Sequence, residues 1–189
     1  SSPVAPTPGR CAREARSGGG TEGPSGIRRE LAAAGIQAAV LGMYGALDTR
    51  IAVSIPSCFT TLDSLIVADV ATHPESIYFG AFALGITNEA LCAMTAPRAL
   101  LINASKEDFF PIAGTRVVFD TAKKVYAAAG IPHRVAMLEG EGGHAYPLRK
   151  REEAYRFLAG AFGTAAKPEP PIDPVPPLML ACTASGNME

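Results

Sequence analysis

Apolar positions in this chain change their period several times, and the changes mark out the elements. From Ile27 to about Leu47, residues Leu31, Ala34, Ala38, Leu41 and Ala46 recur near helical spacing in an Ala-rich stretch. That predicts a helix, weakened at Gly35, Gly42 and Gly45. Ile51-Ala52-Val53-Ser54-Ile55-Pro56 reads as a short buried strand. Phe59 to Gly85 is mostly loop, with a helical turn expected at Leu62 to Val70, and a short helix from about Asn88 to Met94 stops before Pro97. Ala99-Leu100-Leu101-Ile102-Asn103 is a continuous apolar run, as in a strand covered on both faces. Val117, Val118, Ala122 and Val125 predict a helix over Pro111 to Ala129, with Gly130 placed as its C-terminal cap. Arg134 to Leu138 is a third strand, and Pro147 opens a final amphipathic helix through Phe162.

Strands alternating with helices at these lengths demand right-handed crossovers and a parallel sheet. The expected class is therefore α/β, with a sheet of about three strands and flanking helices. Residues 1–26, rich in Pro, Gly, Ser and Arg, carry no apolar period and read as irregular. Residues 164–178 hold six prolines and read as an extended linker that runs into the tail to 189. The α/β part is then 27–163.

Composition narrows the function. Seventeen basic residues stand against eighteen acidic, a net charge of −1. A nucleic-acid footprint or a polybasic membrane patch would need clustered Lys and Arg. No stretch of eighteen apolar residues exists to span a bilayer. The chain begins Ser1-Ser2-Pro3, without Met or an apolar signal core, so a processed start or a fragment is expected. Cys11, Cys58, Cys92 and Cys182 are far apart, without C-x-x-C spacing, and read as buried or idle thiols rather than metal ligands.

In open parallel sheets, chemistry gathers beyond the carboxyl ends of the strands. Two such ends are loaded here. After Ile102 come Asn103-Ala104-Ser105-Lys106-Glu107-Asp108-Phe109-Phe110-Pro111, with carboxylates in a turn. After Leu138 come Glu139-Gly140-Glu141-Gly142-Gly143-His144-Ala145-Tyr146-Pro147, where glycines turn the backbone and present one imidazole. A hydrolytic triad needs a base to take the nucleophile's proton and a carboxylate to hold that base in the right tautomer. Acid before histidine, late in the chain, is the α/β-hydrolase order.

At these residues a resemblance becomes specific. Ala96-Pro97-Arg98 through Asn103, Lys106-Glu107-Asp108-Phe109-Phe110-Pro111 and Gly142-Gly143-His144 resemble the acetyl-xylan-esterase and dienelactone-hydrolase-like branch of the α/β-hydrolases. His73-Pro74-Glu75-Ser76 and Gly45 to Ala52 do so too, and the similarity runs from about Gln37 to Gly163. It implies the C-terminal part of a hydrolase domain that cleaves carboxylic esters, acetylated polysaccharide among them. The implied partners are a small-molecule or carbohydrate ester and further domains of a longer chain; no metal, organic cofactor, nucleic acid or membrane is implied.

Carried onto this sequence, His144 becomes the general base. The acid falls on Glu107 by register, with Asp108 beside it. For the nucleophile, Ala15-Arg16-Ser17-Gly18-Gly19-Gly20-Thr21 resembles the elbow core and selects Ser17, although no apolar strand precedes it. Gly23-Pro24-Ser25-Gly26 is a poorer candidate. Aligning backwards from Gln37 puts Ala32 in the serine's place, a register on which the nucleophile is lost. Early strands, with the loop that supplies half the oxyanion hole, are also missing.

Plainer roles compete. Glu107 and Asp108 can cap the helix after Pro111, Ser17 can belong to a flexible linker, and His73 and His133 read as loop or surface residues. Tyr146 either lines the site or packs beneath it. Arg149-Lys150-Arg151-Glu152-Glu153 reads as a solvated helix face. A degenerate, non-catalytic hydrolase-like module is the rival to the esterase.

Overall fold

The computed structural model describes residues 29–34, 44–69, 80–173, 175, 176 and 179, and for 29–34 and 69 the backbone alone. The chain divides into two compact units, 26–169 and the pair of end segments 1–25 and 170–189. The sheet and its helices belong to the first.

Four strands, β1 (Arg29–Ala34), β2 (Ile51–Ser57), β3 (Ala99–Ser105) and β4 (Val135–Gly140), form one sheet in the order β1-β2-β3-β4. Every neighbouring pair is parallel. Among the described residues, the helices with defined ends are α1 (Asp63–Asp69), α2 (Asn88–Met94), α3 (Ile112–Ala128) and α4 (Leu148–Phe162). Single 3-10 turns lie at Phe82–Leu84 and Pro132–Arg134.

The expected parallel sheet and flanking helices are present, with one strand more than expected. Where sequence spacing predicts a helix from Ile27, residues 29–34 instead pair with β2, from Arg29 opposite Ile51 to Ala34 opposite Ser57. Helix resumes by residues 44–47. Alanine's helical preference is worth only tenths of a kcal/mol per residue, about the scale a row of backbone bonds to a buried neighbour strand overrides.

β3 explains the core. All seven of its residues are buried, and its first four alternate between two clusters. Leu100 and Ile102 face α2 and α3, against Cys92, Val118, Ala122 and Tyr126. Ala99 and Leu101 face α4, with Val53, Ile55 and Ala154, and Phe157 packs against that cluster. A strand covered on both sides has no solvent face to mark with polar residues, hence the unbroken apolar run. α3 ends where Gly130 takes a φ of +74°, a turn that favours glycine.

The register of β3 on β4 positions the functional turns. Asn103 lies opposite Leu138 and Ser105 opposite Gly140, so both strands end level. The ladder continues beyond them: the Lys106 N–H donates to the Gly140 carbonyl at 2.9 Å, and the Glu107 N–H to that of Gly142 at 3.2 Å. The turn after β3 and the turn after β4 therefore leave the sheet side by side.

Candidate active site

Where those turns meet, Nδ1 of His144 lies 3.0 Å from Oδ1 of Asp108. The Asp108 side chain is 1% exposed and that of His144 30%. An ionised carboxylate only accepts, so the contact makes Nδ1 the donor and leaves Nε2 free to take a proton. The same Oδ1 accepts from the Phe110 N–H at 3.2 Å, a local turn that folds the aspartate back on its own loop. Oδ2 is buried without a hydrogen-bond partner among the described residues.

Rings hold the imidazole in plane. Phe109 stacks on His144 with centroids 4.4 Å apart, and Phe110 lies at 5.9 Å. Phe59, from the loop after β2, meets Phe110 edge-on at 5.8 Å. Gly142 carries a φ of +84°, a bend that permits the histidine turn. Tyr146 packs against the β2–β3–α4 core. Burial pushes its phenol up. It is thus a floor beneath the histidine turn.

The carboxylate that reaches the imidazole is Asp108, where register favours Glu107. The Glu107 N–H is spent on the ladder to Gly142, and its side chain is exposed. The two acids sit in a turn, and the bond from the Phe110 N–H folds the Asp108 carboxylate inward while Glu107 stays at the surface. Ser17, Ser25 and His73 lie outside the described residues, as do Cys11 and Cys182. Ala32 lies within β1. His133 is exposed in its 3-10 turn.

Sequence reasoning missed Lys150. The run 149–153 reads as solvated, yet Lys150 is 1% exposed and donates through Nζ to the Ala145 carbonyl, the Cys58 sulfur and the Ser105 hydroxyl. The signal available was its place in the first turn of the helix, three residues after Pro147.

Cys58 and Cys92 are free and buried. Burial, with Glu89 and Asp63 nearby, pushes the Cys92 thiol up to about 12, as befits an inert core group. Donor atoms of Cys58, Asp108 and His144 lie within 4.8 Å of one another, a grouping that could hold a cation. The Lys150 ammonium 3.1 Å from the sulfur opposes a second positive charge there. A cavity of about 680 Å³ lies elsewhere, against Ala52, Ala99 and Phe157 near the amino ends of β2 and β3.

Among solved structures, the chain is similar to a carbohydrate esterase family 15 glucuronoyl esterase from Caldicellulosiruptor kristjansonii, at 19% identity and a TM-score of 0.58. That match covers 75% of this chain and 46% of the other. A glucuronoyl esterase from Sporotrichum thermophile, solved with methyl 4-O-methyl-beta-D-glucopyranuronate, matches at 15% identity and TM-score 0.57, covering 72% and 44%. All of these belong to one fold superfamily.

The fold is that of the α/β-hydrolases.

An acylaminoacyl peptidase from Pyrococcus horikoshii, also an α/β-hydrolase, matches at 12% identity and TM-score 0.51, covering 77% of this chain and 25% of that one. The chain thus spans less than half the length of each of these α/β-hydrolases. No family model and no curated protein matches it.

Proposed function

We propose that the chain is the base-and-acid end of a serine-type carboxylic ester hydrolase. One observation carries this reading: the 3.0 Å contact between His144 Nδ1 and an oxygen of the buried Asp108 carboxylate, made just beyond the tips of adjacent parallel strands. In it, Ser17 attacks the acyl carbonyl, His144 Nε2 takes the hydroxyl proton and returns it to the leaving alcohol, and Asp108 holds the imidazolium that forms between. Water then repeats the sequence on the acyl-enzyme. Esters of carbohydrates are the substrate class, acetyl groups on polysaccharide by the sequence resemblance and sugar-acid esters by the structural one.

The test is labelling of the folded chain with a fluorophosphonate probe, alongside turnover of 4-nitrophenyl acetate. Both are expected in the wild-type protein and lost in Ser17→Ala and His144→Ala. A folded protein that neither labels nor turns over sinks the catalytic reading.

A second reading, a non-catalytic hydrolase-like module, has its own support. Ser17 precedes β1, whereas an elbow nucleophile follows its strand. The residues after β1, Gly35-Ile36-Gln37-Ala38-Ala39-Val40-Leu41-Gly42-Met43, contain no Ser, Thr or Cys. Saturable binding of xylan oligomers without labelling supports this reading against the first.

A further inference from the structure

We propose that Lys150 is the positioning residue of the His144–Asp108 pair, an inference that rests on the functional reading of that pair. Lys150 is the third residue of α4, and its side chain runs inward to the place where three elements end. An ammonium has three N–H groups, and here each has one partner. Nζ donates to the sulfur of Cys58 at 3.1 Å, to the carbonyl of Ala145 at 3.2 Å, and to the hydroxyl of Ser105. Cys58 follows β2 directly, Ser105 is the last residue of β3, and Ala145 is the residue after His144. One cation thus ties the tips of two strands to the peptide that carries the imidazole.

Two further observations show that the passage is built for this side chain. A Cβ on Gly140 would lie 2.6 Å from Lys150 Cε and 3.3 Å from its Cγ, so the bare glycine at the end of β4 opens the path. Cys58 takes a φ of +54°, a left-handed conformation that costs a residue with a side chain. Its sulfur makes three polar contacts, to Lys150, Ser105 and the Ala145 carbonyl, that hold it in place.

None of the three partners is a carboxylate. An apolar chain of equal length would fill the space without desolvating a charge, so packing alone does not explain an ammonium here. What the ammonium supplies is direction. It draws the Ala145 carbonyl toward Ser105 and Cys58, which fixes the peptide next to His144. With that peptide fixed, the imidazole keeps its face on Phe109 and its Nδ1 on Asp108.

The experiment is proton NMR of the full chain. A histidine Nδ1–H held by a carboxylate gives a far-downfield, slowly exchanging resonance, which Asp108→Asn assigns by abolishing it. In Lys150→Met that resonance is expected to broaden beyond detection or exchange at least tenfold faster. Tyr126→Phe, which removes a hydrogen bond to Arg98 in the core, reports general loosening and is expected to leave the resonance unchanged. A resonance that persists unaltered in folded Lys150→Met overturns the positioning role. If that variant does not fold, Gly140→Ala, whose new methyl displaces the lysine, gives the same reading. Absence of the resonance from the wild-type protein overturns instead the functional reading of the pair.

Discussion

At Asp108 a single oxygen accepts twice, from the backbone of Phe110 and from the ring of His144. The first bond sets the second: with the carboxylate folded onto its own loop, it meets the imidazole at a fixed angle. Asp108→Asn keeps the shape but lets an amide present N–H to Nδ1, favouring the wrong tautomer. On the proposed function, ester turnover is expected to fall by about 10³–10⁴ in kcat with KM little changed, as when the orienting acid of a triad is neutralised. Glu107→Gln, on an exposed side chain, is expected to stay within about twofold. Steady-state kinetics of the two variants checks both. His144 was legible because glycines before it and a strand before those leave little else for the turn to do. The choice between adjacent acids was not, since both lie in a turn, where no period in the sequence says which side chain folds back toward the histidine. Nor was Lys150, because a charged run looks solvated unless the helix's angle to the sheet is known.

Elements depend on how closely they approach. A Cβ on Gly114, in the first turn of α3, would lie 2.8 Å from the backbone nitrogen of Leu62. Next to it, Thr115 donates to the Thr60 carbonyl at 2.6 Å, and Thr61 donates back to the Pro111 carbonyl at 2.9 Å. α3 therefore sits on the loop after β2 with no space between, and this loop carries Phe59 to the histidine's ring stack. Gly114→Ala is expected to cost about 1–3 kcal/mol, because the obstructing atom is backbone and cannot turn aside. Urea unfolding of the two proteins, with the slope unchanged, measures it. The helix after β3 was readable because its apolar period and its Gly130 cap agree. β1 was not: an alanine run carries almost no β signature, and only its pairing with β2 makes it a strand.

On the scale of the whole described unit, one cluster anchors the segment after α4. The Glu169 carboxylate, 7% exposed, bonds the Arg151 guanidinium and accepts from the Tyr155 hydroxyl at 2.7 Å. These partners hold its pKa down at about 2, against an ordinary 4.5. A carboxyl lowered on folding stabilises fully above its unfolded value and loses that contribution as pH falls through its folded one. The stability difference between wild type and Glu169→Gln is therefore expected to be constant from neutrality down to about pH 4.5 and to vanish by about pH 2. Thermal midpoints of both proteins across that range test it. Tyr155 is shifted upward, chiefly by its bond to Glu169, so the same comparison is expected to narrow again once pH climbs beyond about 10. An ion pair between a helix and a residue beyond it leaves no periodic trace in a sequence.

Spatial order in the sheet repeats order in the chain, β1-β2-β3-β4. A ribosome delivers these strands in the sequence in which they stack, so each emerging strand finds its docking edge already synthesised. The imidazole lies in the loop that follows the last of the four described strands. Assembly of the acid–base pair is thereby tied to the completion of the sheet, and a nascent chain released before residue 144 holds a carboxylate with nothing to orient.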